Sequence, residues 1–444
     1  MASVIQYVGD PFVDAGVAVL EHRIEKACVD FTRDDLRLQA DELERLYSAK
    51  AWVGYLSVHF PNSCWCNPTM GVESRSTQRQ MLLRSFDEPA LAGRFCVYCQ
   101  NPAQHLGDKS TVPLITGADT MTSGPGGMPG LPMCSGCQFA MQFYPLSALK
   151  VGGRPLFWWT PDHRWMFALT RNFSQQLARL IEGSPEQVTN LRWPPSRLFE
   201  TLEIVMEQRE QIGADLNVGD MVGCHATNYG SGPDYNELRI QKGLVEFVRV
   251  GLGHPVYRAI CAEAWETEPR KAKTPLDGEA RAPRRNGFYE DLGKSLYGQE
   301  VSCSRIIKRY FRPQVVKQEG TFELAGVFAR KVSNMTQAQV AAIKELADQI
   351  AGSAKAAGYL RMLLHGRGLS NYVRSLVDVS SRMARAGEKP IAVETVLQAF
   401  DMAGEDDTLN RNAPLVRELI MLRIIELLPS EAVPETPADE KEEE

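Results

Sequence analysis

Apolar residues recur along this chain at two periods, and the change of period divides it. Behind Asp10 and Pro11, a capping acid and a first-turn proline, Phe12, Val13, Val17, Leu20 and Ile24 fall at helical spacing. The run YVGDPFVDAGVAVLEHRIEK therefore predicts a short strand, a turn and a helix in which Gly16 permits close backbone approach. A charged helix is predicted over 33–50, and AWVGYLSVHF, 51–60, alternates as a strand does. GGRPLFWWTPDHRWMFALT predicts a strand, a turn at Thr160-Pro161-Asp162 and a second strand. Trp158, Trp159 and Trp165 are then sheet-packing residues, with a base-stacking platform as the alternative. Helices follow over 172–183 and 196–213, and a strand from Val218 to Ala226. HATNYGSGPDY, 225–235, is a polar, turn-rich loop offering Asn228, Tyr229 and Ser231 to a partner.

From Thr336 onward the pattern is almost wholly helical. Val340, Ile343, Leu346 and Ile350 mark one stripe, Tyr372, Val373, Leu376, Val379 and Met383 a second, and Leu415, Leu419, Leu422 and Ile425 a third. Glycines and prolines punctuate these stripes into a bundle of four or five helices. The fold class expected is α+β. A mixed N-terminal domain over 1–330 carries an inserted four-cysteine zinc ribbon at about 94–140, and a helical bundle occupies 335–428.

Composition narrows the class without identifying it. With 444 residues, two or three modules are expected, and 44 % hydrophobic and 23 % charged residues are ordinary globular usage. No apolar run reaches the ~20 residues of a bilayer span, and the opening MASVIQYVGDPF lacks a basic run followed by an apolar one. A cytoplasmic protein without a membrane partner is expected. The net charge of -6 equals that of the last fourteen residues, whose seven acids and one lysine predict a disordered tail over 429–444.

The balanced body hides local basic stretches. The loop 266–285 holds Arg281, Arg284 and Arg285 among three prolines. Over 299–312, Arg305, Lys308, Arg309 and Arg312 fall at i, i+3, i+4 and i+7 of a predicted helix, one face suited either to a phosphate backbone or simply to solvent. Arg361, Arg367, Arg374, Arg382 and Arg385 recur through the bundle.

Ten cysteines in a chain of this length are too few for a disulfide scaffold. Cys96-Val-Tyr-Cys99 and Cys134-Ser-Gly-Cys137 read C-x2-C twice, with 34 residues between them. Two such pairs complete the four-sulfur shell that zinc favours in closed structural sites, and the Gly- and Pro-rich insert predicts a projecting loop. Unrelated free pairs are the alternative; a redox pair is disfavoured because neither pair is predicted to open a helix after a strand. Cys64-Trp65-Cys66 is a rival ligand source whose C-x-C spacing strains chelation. No phosphate loop, H-E-x-x-H or G-x-S-x-G motif occurs, and Cys224-His225 beside Asn228 makes a poor nucleophile set. A non-catalytic role is expected.

The opening Y-V-G-D-P-F-V-D-A-G-V-A, the C-V-Y-C pair, the V-P-L-I-T-G loop and the C-S-G-C-Q-F-A-M-Q-F-Y-P-L run leading into G-G-R-P-L together resemble the large subunit of the type I-B CRISPR Cascade complex. The likeness covers mainly 4–20 and 94–158; the middle of the chain matches by order and size. It implies a structural Zn2+ on Cys96, Cys99, Cys134 and Cys137. It also implies a prokaryotic subunit at the 5′ handle of the crRNA that reads the protospacer-adjacent motif in double-stranded target DNA, helps open it and stabilises the R-loop. Partners would be the Cascade backbone and other subunits, with a separate helicase-nuclease or transposition proteins as effector. The C-terminal domain would resemble the small subunit, which some systems also make from an internal start, here near Met335. The loop around Asn228 and the cations already named become candidate DNA contacts. A metal-dependent DNA-processing enzyme with an accessory zinc ribbon, and a zinc-ribbon adaptor binding only proteins, are the competing expectations.

Overall fold

A computed structural model describes residues 5–61, 63–67, 69–115, 130–208, 219–227, 234–267, 284–297, 299, 301–365, 369–401, 408–429 and 431. The chain is α+β and divides into two units, one of Met1–Lys242 with Thr267–Arg285 and Ser295–Gln299, the other of Gly243–Glu266, Asn286–Lys294 and Glu300–Glu444. No helix among the described residues is long and apolar enough to cross a membrane.

The first unit runs α1 (Pro11–Ile24), α2 (Arg33–Tyr47), α3 (Lys50–Leu56), α4 (Val72–Leu83), β1 (His105–Gly107), β2 (Leu131–Met133), α5 (Ser135–Phe143), β3 (Leu149–Val151), β4 (Arg154–Trp159), α6 (His163–Gly183), α7 (Pro194–Glu207), β5 (Met221–Thr227) and β6 (Asp234–Ile240). β3-β4-β5-β6 form an antiparallel sheet in which Phe157 faces Cys224 and Cys224 faces Glu237. α1 lies against α5, α6 and β4. The Asp10 carboxylate accepts hydrogen bonds from the Phe12 and Val13 amides at 3.0 Å, the N-cap that starts α1, worth about 1 kcal/mol. Gly16 is necessary where it stands: a Cβ there would lie 1.8 Å from the Ala140 carbonyl oxygen of α5.

Two predicted strands are helices. In 51–60, Trp52, Tyr55, Leu56, His59 and Phe60 also satisfy i, i+3, i+4, i+7 and i+8, and all five are buried around α3. Tyr47 and Tyr55 donate their hydroxyls to the Gln142 and Ala148 carbonyls, so the aromatic layer leaves no phenol unpaired there. The second strand predicted after Asp162 is instead the start of α6, whose N-cap Asp162 accepts from the Arg164 amide at 2.9 Å. Trp158 and Trp165 are buried core residues, while Trp159 is half-buried and donates to Asp14 at 3.1 Å. The six residues before α1 form no strand.

The second unit contains α8 (Lys242–Leu252) from Gly243, α9 (Pro255–Glu263), Trp265 and Glu266 of β7 (Trp265–Thr267), Asn286 of β8 (Arg284–Asn286), α10 (Gly287–Leu292), α11 (Cys303–Ile306), a π turn (Ile307–Phe311), α12 (Arg312–Val315), α13 (Thr321–Val332), α14 (Gln337–Ala351), α15 (Ala356–His365), α16 (Leu369–Arg385), α17 (Val393–Phe400) and α18 (Thr408–Leu427). A capping box between Thr336 and Gln339 opens α14. The predicted stripes face inward, with Ile343, Leu346, Ile350, Tyr372, Leu376, Val379, Met383, Leu415, Leu419 and Leu422 buried. α18 packs on α13 as well as on α14, so the helices preceding residue 335 belong to the same core as the bundle.

Candidate metal centre

Each cysteine pair is placed by its own local structure. Around Cys96 and Cys99 the chain makes a tight knuckle: the Cys96 amide donates to Asn101, the Gln100 amide donates back to Cys96, and Gln100 takes a left-handed φ of 62°. The Val97 amide reaches the Pro132 carbonyl at 3.0 Å and the Gln104 amide the Met133 carbonyl at 2.8 Å, tying the knuckle to β2. β1 and β2 pair antiparallel, His105 opposite Met133. Directly after β2, Cys134 caps α5, and its sulfur accepts from the Cys137 amide at 3.3 Å.

All four Sγ atoms lie within 4.8 Å of one another, Cys99 and Cys134 at 3.4 Å. A disulfide requires about 2.05 Å, whereas a tetrahedral thiolate shell at about 2.3 Å from its ion has sulfur edges of about 3.8 Å. The spacing fits a metal shell, and the four cysteines can hold one metal ion. Hydrogen bonds from the Cys134 and Cys137 side chains hold the Cys96 thiol far below the ordinary thiol range. The Cys134 and Cys96 side chains in turn push Cys137 far up. A cation at the centre relieves that crowding by stabilising every thiolate together. Cys134-Ser-Gly-Cys137 does open a helix after a strand, against the sequence expectation. Its placement beside Cys96 and Cys99, rather than that detail, separates a metal site from a redox pair.

Beside the knuckle the opening motif makes its own network. Asp14 is buried and accepts from the Val8 amide at 2.7 Å, from the Gly9 amide and from Trp159. Burial pushes Asp10 up to about 6 despite its two amide donors. Burial, and then the Asp10 charge, also raise the Tyr98 phenol of the knuckle. Sequence reasoning missed the Asp14–Trp159 contact, for which a separation of 145 positions leaves no local signal.

The rival thiols stand apart. Burial pushes Cys64 up to about 12, and Cys66 donates to the Phe60 carbonyl at 3.4 Å. Cys224 is buried, pushed to about 12 by burial, and accepts from the Tyr235 hydroxyl. His225 points to the other face of β5, with Nε2 2.9 Å from the Val151 carbonyl oxygen.

The candidate DNA contacts are not brought to one place. Asn228, Tyr229, Ser231, Arg281 and Arg367 lie outside the described residues, as do 116–129 of the insert predicted to project and most of the predicted basic loop and acidic tail. Arg284 is described only as backbone in β8, and the Arg285 guanidinium lies 5.1 Å from the Trp193 ring centroid. The helix predicted over 299–312 is broken by the π turn. Arg309 pairs with Asp291 at 3.0 Å, Arg312 pairs with Glu418, and Lys308 adds its charge to Glu418. The Arg305 side chain, by contrast, is exposed. Arg361, Arg374, Arg382 and Arg385 are exposed and have no ion-pair partner among the described residues. Comparison of the chain with protein-family models, with curated proteins and with solved structures finds no match.

Proposed function

We propose that the chain is the non-catalytic large subunit of a crRNA-guided type I Cascade complex, reading the protospacer-adjacent motif, helping to open target DNA and stabilising the R-loop for a separate effector. One observation carries the reading. The two stretches on which the resemblance rests, separated by more than seventy residues in sequence, pack into one centre where Gly16 meets Ala140 and the Asp10 charge reaches Tyr98 beside Cys99. In this reading the metal is Zn2+ in a closed, four-thiolate structural site, which leaves no coordination position for chemistry. The exposed arginines of α15 and α16 serve as contacts to a nucleic-acid backbone.

The test is co-purification with the neighbouring gene products. The expected result is a ribonucleoprotein containing a discrete RNA of uniform 5′ end. A chain that emerges without RNA, in protein-only assemblies or cleaving DNA with Mg2+, overturns the reading. Met335 stands immediately before the Thr336 cap of α14, a suitable place for an internal start. The shorter product would lose α13 from the flank of α18, so mass spectrometry should find it only within the assembly.

A further inference from the structure

The end of α18 and the basic end of α16 meet around the last turn of α14. Arg423, one turn before α18 ends at Leu427, donates from Nε to Asp348 of α14 at 2.7 Å. The next residue, Gln349, donates to the Lys389 and Pro390 carbonyls at 2.8 and 2.9 Å, and Ser353 donates its hydroxyl to Glu388 at 2.9 Å. Four cations stand around that junction. Arg382 and Arg385 are in the last turn of α16, Lys389 lies just beyond it, and Lys355 shares with Tyr359 and Arg382 the lining of a recess between the start of α15 and α16. All four are exposed, and none has an ion-pair partner among the described residues. Of the carboxylates close by, Asp348 is engaged by Arg423, Glu388 accepts from Ser353, and Asp378 is exposed one turn before Arg382. The face keeps an excess of positive charge.

The same α18 leads into a segment of opposite charge: residues 431–444 hold seven acids and one lysine. We propose that this acidic segment docks on the face formed by Lys355, Arg382, Arg385 and Lys389, and that an external polyanion must displace it in order to bind there. Reach favours the contact as well as charge. Sixteen residues follow Leu428, and at ~3.3 Å each they can span about 50 Å, while two adjacent residues of α14 already join α18 to Lys389. An exposed ion pair is weak alone, but a tethered segment offers its acids at a local concentration of roughly millimolar order, so several together occupy the face. The contact does not rest on the Cascade reading; only the identity of the displacing polyanion does, so absence of co-purified RNA would leave it intact.

The purified full-length chain, free of nucleic acid, is treated with a carbodiimide, which joins a carboxylate to an amine only where the two touch, and the cross-links are mapped by mass spectrometry. The expected result is cross-links within one chain from the acids of 431–444 to Lys355 and Lys389. They should disappear in the double variant Arg382→Glu, Arg385→Glu and at ~0.5 M salt. Removing 431–444 should strengthen binding of fluorescent oligothymidylate about tenfold at low salt, and the double variant should gain less than about twofold from the same truncation. Cross-links confined to Lys271 and Lys273 of the basic loop, or spread evenly over the lysines of the chain, overturn the proposal. So does a truncated chain that binds the strand no more tightly than the whole one. An equal gain in the double variant would reduce the effect to net charge and overturn it as well.

Discussion

The segment from Arg305 to Arg312 and the face made by α15 and α16 carry the same residue type, both in the second unit, and use it in opposite ways. In the first, Arg309 lies against Asp291 and Arg312 against Glu418, with the Arg312 and Glu418 side chains only 12 % and 11 % exposed. In the second, Lys355, Arg361, Arg374, Arg382 and Arg385 stand in solvent without ion-pair partners among the described residues. Helical spacing tells where a cation lies around its own axis. It does not tell whether a carboxylate 106 residues away has already engaged it. Cysteines repeat the contrast: four of them converge on one centre, while Cys64 and Cys66 are buried with other contacts.

The largest effect is expected at the thiols. Cys134→Ser should abolish stoichiometric metal binding, measured by elemental analysis, and destabilise the knuckle, whereas Cys66→Ser should retain the full equivalent of metal. If both variants keep the ion, the four-sulfur assignment fails.

Next comes Arg312→Ala, which leaves Glu418 buried without its partner. Urea unfolding should show a loss of about 3–5 kcal/mol, and Arg312→Met combined with Glu418→Leu should recover most of it. Arg382→Gln should change stability by no more than about 0.5 kcal/mol and lower the slope of log affinity against log salt by about one. A reversal of these two outcomes would erase the distinction between the regions.

Acid titration sharpens it further, because the two engaged carboxylates shift in opposite directions. Burial raises Glu418 above the ordinary glutamate range, against the opposing charges of Arg312, Arg417 and Lys308. Its contribution to stability therefore grows as pH falls through that raised value towards the unfolded value of about 4.3. Burial also opposes ionisation of Asp291, but the Tyr310 hydroxyl and the Lys294 and Arg309 cations outweigh it and hold the carboxyl low. That stabilisation is complete above about pH 3.9 and is lost as pH falls through the depressed value. Urea midpoints measured from pH 7 to 3 should lose the first slope in Glu418→Gln and the second in Asp291→Asn. The smallest effect is expected at the Lys317–Glu263 pair, whose side chains are 50 % and 52 % exposed. Lys317→Gln should cost at most about 0.5 kcal/mol in the same assay.

What was legible in the sequence is what local spacing controls. Each C-x2-C pair announces its own chelate, and Asp10-Pro11 announces the start of α1. The inward stripes of the bundle could likewise be read from their period. The misreadings share one cause. In 51–60 and 163–170 the apolar residues are dense enough to satisfy a strand and a helix at once, and α6 is settled by its cap and by burial of Trp165, Leu169 and Phe173 against the sheet. The recess at Lys355 and Tyr359 was invisible for a different reason. It is a property of two helices together, and neither residue belongs to a periodic motif of its own.

The contact of Gly16 with Ala140 also has a consequence in time. α1 is synthesised before α5, and Val13, Ala15, Val17, Ala18, Val19 and Leu20 are all buried in the finished fold. Part of the surface that covers them, on α5, is translated some ~120 residues later, which at roughly 5–20 residues per second leaves the apolar face of α1 uncovered for about 6 to 24 seconds. α1 is thus obliged to wait, and the interval is set by the length of chain between Ile24 and Ser135, of which the link between the two cysteine pairs is only the last part.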